Sequence, residues 1–141
     1  MSGIRSISIV VAAHLVVALI HGAAHGSLAI NPPRSADLAF IVLTVYLGPL
    51  VAVWRLRAAR SRSGAMLLAL SMAGAFVYGI VFHYGLPTLD HVSQVPVVPW
   101  GTVFRITAGL LAPLEAIGAL QGLAAWRAAR PPTFTGAPSA R

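Results

Sequence analysis

Three histidines lie along the first apolar stretch of the chain, at His14, His21 and His25. An α-helix has about 3.6 residues per turn, so offsets of 7 and 11 residues return almost to the same direction. In a helix the three imidazoles therefore share one narrow stripe. His21 and His25 are one turn apart, a spacing that can chelate a metal ion.

A second group of metal-binding residue types follows later in the chain. His83 ends the third apolar stretch, and Asp90 and His91 come soon after it. The first and third helices of a four-helix membrane bundle run in the same direction, so these side chains reach the end that holds His21 and His25. Imidazole with carboxylate suits zinc, copper or iron. The sequence thus predicts a metal site with the ligands His21, His25, His83, His91 and Asp90.

Two other interpretations of the histidines stay open. His21 or His25, paired with His83, resembles in architecture the haem ligands of four-helix membrane cytochromes b. That resemblance implies one b-type haem held between facing helices. The other interpretation is that the histidines form hydrogen bonds between helices, to backbone or to water.

A further pair of polar residues falls at the middle of the predicted bundle. Glu115 lies two residues after Pro113 in the fourth apolar stretch, at about the depth of His14. Ionisable residues inside a membrane are costly and mark a functional site or a buried polar contact. We therefore expect His14 and Glu115 to form a buried polar pair. Such a pair can act in a proton relay, or it can be a structural contact between helices.

The composition places the chain in the membrane class. Of its 141 residues, 57% are hydrophobic and 9% are charged, against about 25% charged in a soluble domain. The mean hydropathy is +0.81. The chain has no cysteine, which excludes disulfides and thiolate metal sites. Nor does the sequence contain a nucleotide-binding loop or a recognisable catalytic signature.

Four apolar runs, each long enough to cross a bilayer, account for most of the chain. They predict an all-α fold, an integral membrane four-helix transmembrane bundle that forms a single domain over residues 1–127. The predicted spans are about 4–29, 36–56, 64–86 and 101–126. Residues 128–141 are rich in Pro, Ser and Gly, and they predict a disordered cytoplasmic tail.

The arginines predict the orientation of the bundle. Eight of the ten basic residues fall on the side that the N-terminus, the middle loop and the C-terminus share. These are Arg5, Arg55, Arg57, Arg60, Arg62, Arg127, Arg130 and Arg141. By the positive-inside rule both termini are cytoplasmic and the histidine cluster faces outward. The net charge of +7 therefore indicates topology, and no nucleic-acid partner is expected. The expected location is the bacterial inner membrane, with the lipid bilayer as the main partner.

Small residues recur on three of the predicted helices. Helix-packing positions are expected at Gly22, Gly26, Gly79, Gly118 and Gly122, where small residues let helices approach closely. This pattern supports an alternative function, a non-catalytic subunit or scaffold in a homo-oligomer or a larger membrane complex. A third hypothesis is a proton-coupled small transporter that uses His14 and Glu115. The leading hypothesis remains a metal site at the outward face.

Overall fold

The computed structural model describes residues 2–30, 35–58 and 61–129. Within these ranges the chain forms helices and turns and no strand. There are four long helices: α1 (Ser2–Ser27), α2 (Ser35–Arg57), α3 (Ser61–Gly85) and α4 (Pro99–Ala128). Each is long and apolar enough to cross a membrane, which confirms the predicted all-α class and the four candidate spans. The predicted tail, 128–141, lies almost wholly outside the described residues.

The outer faces of the helices are strongly apolar. In each of the four helices, no more than 33% of the most apolar 18-residue segment is buried inside the bundle. Large side chains such as Leu19, Leu43 and Leu120 are more than half exposed. An apolar surface of this extent is unusual on a soluble monomer. Such a surface fits helices that are long and apolar enough to cross a membrane.

Consecutive helices run antiparallel, so the ends that carry the arginines lie together. Arg57 donates a hydrogen bond to Ser8 Oγ at 3.2 Å, and Gln121 donates to Ser6 Oγ at 3.1 Å. The start of α1 thus lies beside the ends of α2 and α4. We call this the arginine-rich end, since it carries Arg5, Arg55, Arg57, Arg62 and Arg127. The opposite end, where α1 and α3 finish, is called the histidine end.

Glycines allow the closest contacts between helices. A Cβ on Gly122 would lie 2.5 Å from the backbone nitrogen of Ala69, and one on Gly118 would lie 2.5 Å from Met72 Cε. These two glycines hold α4 against α3. A Cβ on Gly48 would meet Ser71 Cβ at 2.6 Å, so α2 is equally close to α3.

The other three predicted packing glycines behave differently. A Cβ on Gly26 would have nothing within 4 Å, and one on Gly79 would have only ordinary contacts at 3.8 Å. At Gly22 the nearest atom is the Tyr46 hydroxyl, at 3.2 Å. The structure does not use Gly26 and Gly79 for tight helix packing, because no neighbouring backbone reaches them.

Pro49 is accommodated by a wide helical turn. Proline lacks an N–H, so a regular helix would leave the carbonyl of Val45 without its partner. In the structure, residues Val42–Leu47 form a π-helical segment just before Pro49. The Gly48 N–H donates to the carbonyl of Leu43, five residues earlier. The extra residue in this turn absorbs the irregularity.

The loop between α3 and α4 folds back over the histidine end. Val95 is buried there with Ile30 and Phe104. The Arg105 guanidinium donates to the carbonyls of Val92 and Val95. Arg105 thus fastens the loop backbone to α4. A side chain at Gly101 would overlap the carbonyl of Pro96, so the loop passes directly over the start of α4.

Candidate metal centre

Three imidazoles meet at the histidine end of the bundle. His21 Nε2 lies 3.2 Å from His83 Nε2 and 3.2 Å from His25 Nε2. One ring nitrogen from each histidine lies within 4.8 Å of the others, close enough together to hold a metal ion. His21 and His83 are buried, and His25 is partly buried. The fold thus brings together residues separated by 62 positions in the sequence.

The other ring nitrogen of two histidines is bound to a backbone carbonyl. His25 Nδ1 lies 3.0 Å from the oxygen of Ile30, and His83 Nδ1 lies 3.1 Å from the oxygen of Asp90. A carbonyl oxygen only accepts, so each Nδ1 carries the proton and donates it. In a neutral imidazole the Nε2 of His25 and His83 is then an unprotonated acceptor.

Thr107 fixes the third ring in the same way. Its hydroxyl donates to the carbonyl of Val103 at 2.7 Å, and the carbonyl of Phe104 lies 3.0 Å from the same hydroxyl oxygen. The single hydroxyl proton is thereby engaged, so the oxygen accepts from His21 Nδ1 at 2.8 Å. His21 Nε2 is therefore the third acceptor.

Three lone pairs consequently point at one another over short distances. Neutral acceptor nitrogens cannot hydrogen-bond to each other, so the arrangement calls for a cation among them, either a metal ion or a proton on one of the rings. Histidine ligands of metal ions have this same environment, in which the second ring N–H is donated to a carbonyl, a carboxylate or water. This set of nitrogen donors could hold a metal ion.

Asp90 adds a carboxylate to the three imidazoles. Its Oδ1 lies 3.2 Å from His25 Nε2, and its Oδ2 lies 3.6 Å from His83 Nδ1. Among the described residues, Oδ1 is buried and has no hydrogen-bond donor. This oxygen and His25 Nε2 face each other across 3.2 Å, a gap that a proton or a bound metal ion can bridge. The structure thus brings Asp90 to the cluster, as the sequence suggested.

His91 does not join the cluster. Its Nε2 lies 3.1 Å from the carbonyl of Tyr84, and its Nδ1 lies 2.8 Å from Ser93 Oγ. The expectation that His91 supports the metal is corrected by this placement. Although His91 is next to Asp90 in sequence, its ring contacts the carbonyl of Tyr84 in the last turn of α3.

Two features of the fold position the three rings. The side chain of Phe104 is fully buried, and its ring centroid lies 4.7 Å from His21, 5.0 Å from His25 and 5.3 Å from His83. It forms an apolar floor for the cluster. The last turn of α3, Val81–Gly85, is π-helical. This wide turn sets the direction of His83, and such turns are frequent at functional sites.

His14 and Glu115 form the second polar site, deeper in the bundle. His14 Nε2 lies 3.4 Å from Glu115 Oε1, and both side chains are buried. His14 Nδ1 has no hydrogen-bond partner among the described residues. The structure therefore brings the two residues together, in the arrangement that the sequence predicted for a buried polar pair.

Sequence reasoning missed Thr107, Phe104 and the two carbonyls that orient the histidines. Thr107 was detectable in principle, since it is a polar residue in the same half of α4 as the histidine end. Its role was not detectable, because hydroxyls in apolar helices commonly bond to their own backbone. The carbonyls of Ile30 and Asp90 leave no trace in the sequence.

Thr107→Val provides a test of the orienting contact. The substitution keeps the shape of the side chain and removes the acceptor for His21 Nδ1, so we expect zinc affinity to fall by about 10–100-fold. Zinc affinity is measured by competition with a chromophoric chelator. Thr102→Val is the matched control on the same helix, since the exposed Thr102 hydroxyl reaches only the carbonyl of Val98. Equal affinity for the two variants would contradict this role of Thr107.

Comparison with known proteins found no match, so any assignment of function rests on the geometry of the site. No protein-family model, curated protein or solved structure matches the chain. The fold and the site define a class: a helical protein with four candidate membrane-spanning helices and a histidine cluster that can hold a metal ion.

Proposed function

We propose that the protein is a small integral membrane metalloprotein that binds one divalent transition-metal ion. The ligands are His21, His25 and His83, with Asp90 as the fourth. The observation that carries the proposal is the orientation of the rings. Each Nδ1 is bound to a fixed acceptor, and the three Nε2 atoms face one another.

The distances between the nitrogens agree with this proposal. Metal–nitrogen bonds of about 2.0–2.1 Å at tetrahedral angles place two ligand nitrogens roughly 3.3 Å apart. The separations from His21 to its two neighbours are 3.2 Å. His25 and His83 form the wider pair, and binding of an ion would draw them together. The spacing of these ligands is thus nearly preformed.

The ligand set favours zinc, copper or iron. Imidazole nitrogen suits all three ions, whereas magnesium and calcium prefer oxygen ligands. A b-type haem fits less well. Two axial histidines on opposite sides of an iron need roughly 4 Å between their nitrogens, with the macrocycle between them. His21 Nε2 and His83 Nε2 are only 3.2 Å apart.

The arginines support the proposed orientation. The arginine-rich end carries most of the basic residues, and the histidine end carries the cluster and Asp90. The positive-inside rule places the arginine-rich end in the cytoplasm. On this basis the metal lies near the outer surface of the membrane, and the bacterial inner membrane stays the predicted location.

Removal of the metal is expected to lower the stability of the protein. A ligand that binds only the folded state at 100 times its Kd adds about 2.7 kcal/mol to the free energy of unfolding. We expect zinc to raise the melting temperature of chelator-treated protein in detergent, and chelator to reverse the change. Magnesium at the same concentration serves as the control. If zinc and magnesium have the same effect, the scaffold hypothesis becomes the better account.

A further inference from the structure

A cavity of about 320 Å³ lies beneath the histidine cluster. His21, His83 and Asp90 line it towards the histidine end, and Glu115 lines it towards the middle of the bundle. Its volume falls in the lower part of the range of small-molecule sites, which is about 300–1,000 Å³. A space of this size holds far more than the single waters that occupy buried polar gaps.

Glycines on two helices keep this space open. Gly22, Gly26 and Gly79 all line the cavity. The position of a Cβ on Gly79 would be 3.8 Å from Glu115 Oε2 and 3.8 Å from His83 Cδ2. Gly79 thus lies between the carboxylate and the cluster, and a larger side chain there would fill the gap. The small-residue pattern that suggested helix packing shapes a binding site at these positions.

Both π-helical segments border the cavity. Val42, Val45 and Tyr46 come from the wide turn of α2, and His83 and Tyr84 come from that of α3. Such turns are rare and appear frequently at functional sites. The turn of α3 also carries the ligand His83, whereas that of α2 carries none of the metal ligands, so the cavity gives the α2 turn a place at a site.

The cavity opens towards lipid between α1 and α2. Gly22 and Gly26 of α1 and Leu38 and Val42 of α2 both line it and are exposed on the outer surface. These residues belong to candidate membrane spans, so an occupant arrives from the bilayer. The α2 wall is apolar, and therefore most of the occupant is apolar too.

The side chains at the polar end of the cavity determine which polar group a ligand can place there. Glu115 Oε1 faces His14, whereas Oε2 lies on the Gly79 side, which lines the cavity. A carboxylate oxygen accepts hydrogen bonds, so it favours a hydroxyl and disfavours a fatty acid. The rings of Tyr46 and Tyr78 are also in the wall, and aromatic side chains favour a ring between them. The phosphate oxygens of a phospholipid are acceptors without a proton to donate, so Glu115 Oε2 disfavours that head as well.

We propose that this cavity binds a lipid-soluble quinol, a hydroxylated aromatic ring with an apolar tail. One ring hydroxyl donates to Glu115 Oε2, the ring lies near Tyr46 and Tyr78, and the tail leaves between α1 and α2. The inference rests on the cavity and Glu115 and does not require a bound metal. It gives the His14–Glu115 pair a role in holding the carboxylate towards the ligand.

The test is equilibrium binding of a benzoquinol with a decyl tail to the full chain in lipid nanodiscs. Gly79→Leu fills the gap beside Glu115, and Glu115→Gln replaces one of the two carboxylate oxygens by an NH2 donor at constant size. We expect each variant to bind the quinol at least about tenfold more weakly than the wild type. Gly3→Leu is the control, since Gly3 is exposed, a Cβ there would meet nothing within 4 Å, and Gly3 lies outside the cavity lining.

Two further measurements keep the result interpretable. Circular dichroism of each variant reports on its fold and zinc affinity reports on the histidine cluster, so loss of quinol binding with an unchanged spectrum supports the proposal. Where Gly79→Leu changes the spectrum, Glu115→Gln decides. A decyl-tailed benzene without hydroxyls is the control ligand. Equal binding of this compound, or unchanged quinol binding by Glu115→Gln, would overturn the proposal.

Discussion

Replacing His83 by alanine is expected to weaken zinc binding by more than about 100-fold. Loss of a residue that only orients a ligand costs about 10–100-fold, and His83 is proposed to be a ligand itself. Its Nε2 lies 3.2 Å from that of His21, so its removal leaves two imidazoles and one carboxylate. The affinity is measured by competition titration on tag-free protein in mild detergent.

The matched control is His91→Ala. His91 has the same chemistry and lies in the loop that follows α3, but its ring faces Tyr84 and Ser93. We expect this variant to bind zinc as the wild type does. If the two substitutions weaken binding equally, the metal centre is not where the three rings converge. If neither has an effect, the histidines are structural, as the scaffold hypothesis holds.

The second large effect is expected on stability, from Gly122→Ala. A Cβ at this position would lie 2.5 Å from Ala69 N and 3.0 Å from the carbonyl of Ala65. Both atoms are backbone, so they cannot move aside as a flexible side chain does. The contact between α3 and α4 must therefore open. Overpacking of this kind costs about 1–3 kcal/mol, measured as the free energy of unfolding in a detergent titration followed by circular dichroism.

Gly26→Ala provides the comparison for this change. A Cβ on Gly26 has nothing within 4 Å, and alanine has a higher helix propensity than glycine. We expect the stability to be unchanged or raised by up to about 1 kcal/mol. A Gly122→Ala variant as stable as Gly26→Ala would show that the two helices are not in backbone contact at this position.

Hydrophobic pattern alone was sufficient to predict the helices. Runs of about 20 apolar residues separated by proline or arginine clusters leave few alternatives. The two π-helical turns were not predictable in detail. Pro49 indicated an irregularity in α2, but the sequence does not distinguish a kink from a wide turn. Nothing in residues 81–85 indicated a wide turn around His83.

The histidine cluster was predictable only in part. The stripe of His14, His21 and His25 follows from helical periodicity, and the depth of His83 follows from topology. Asp90 and His91 are adjacent in a loop, where no periodicity fixes the direction of a side chain. The loop path depends on Val95 and on the bonds from Arg105, and these contacts decided which of the two residues reaches the cluster.

The glycines show the same limit. A spacing of four residues describes Gly22 and Gly26 on one helix and Gly118 and Gly122 on another. The second pair lies at a helix contact, while the first pair lines a cavity. Small residues permit close approach and also leave open space. Only the position of the neighbouring helix distinguishes the two cases.

The central claim is that the three converging imidazoles hold a metal ion. Its most direct test is the metal content of the wild-type protein, purified without a histidine tag and determined by elemental analysis after exposure to zinc and removal of the excess. The account predicts one zinc ion per chain in the wild type and background levels in the His21→Ala, His83→Ala double variant. Zinc at background in the wild type, or equal zinc in both proteins, would contradict it.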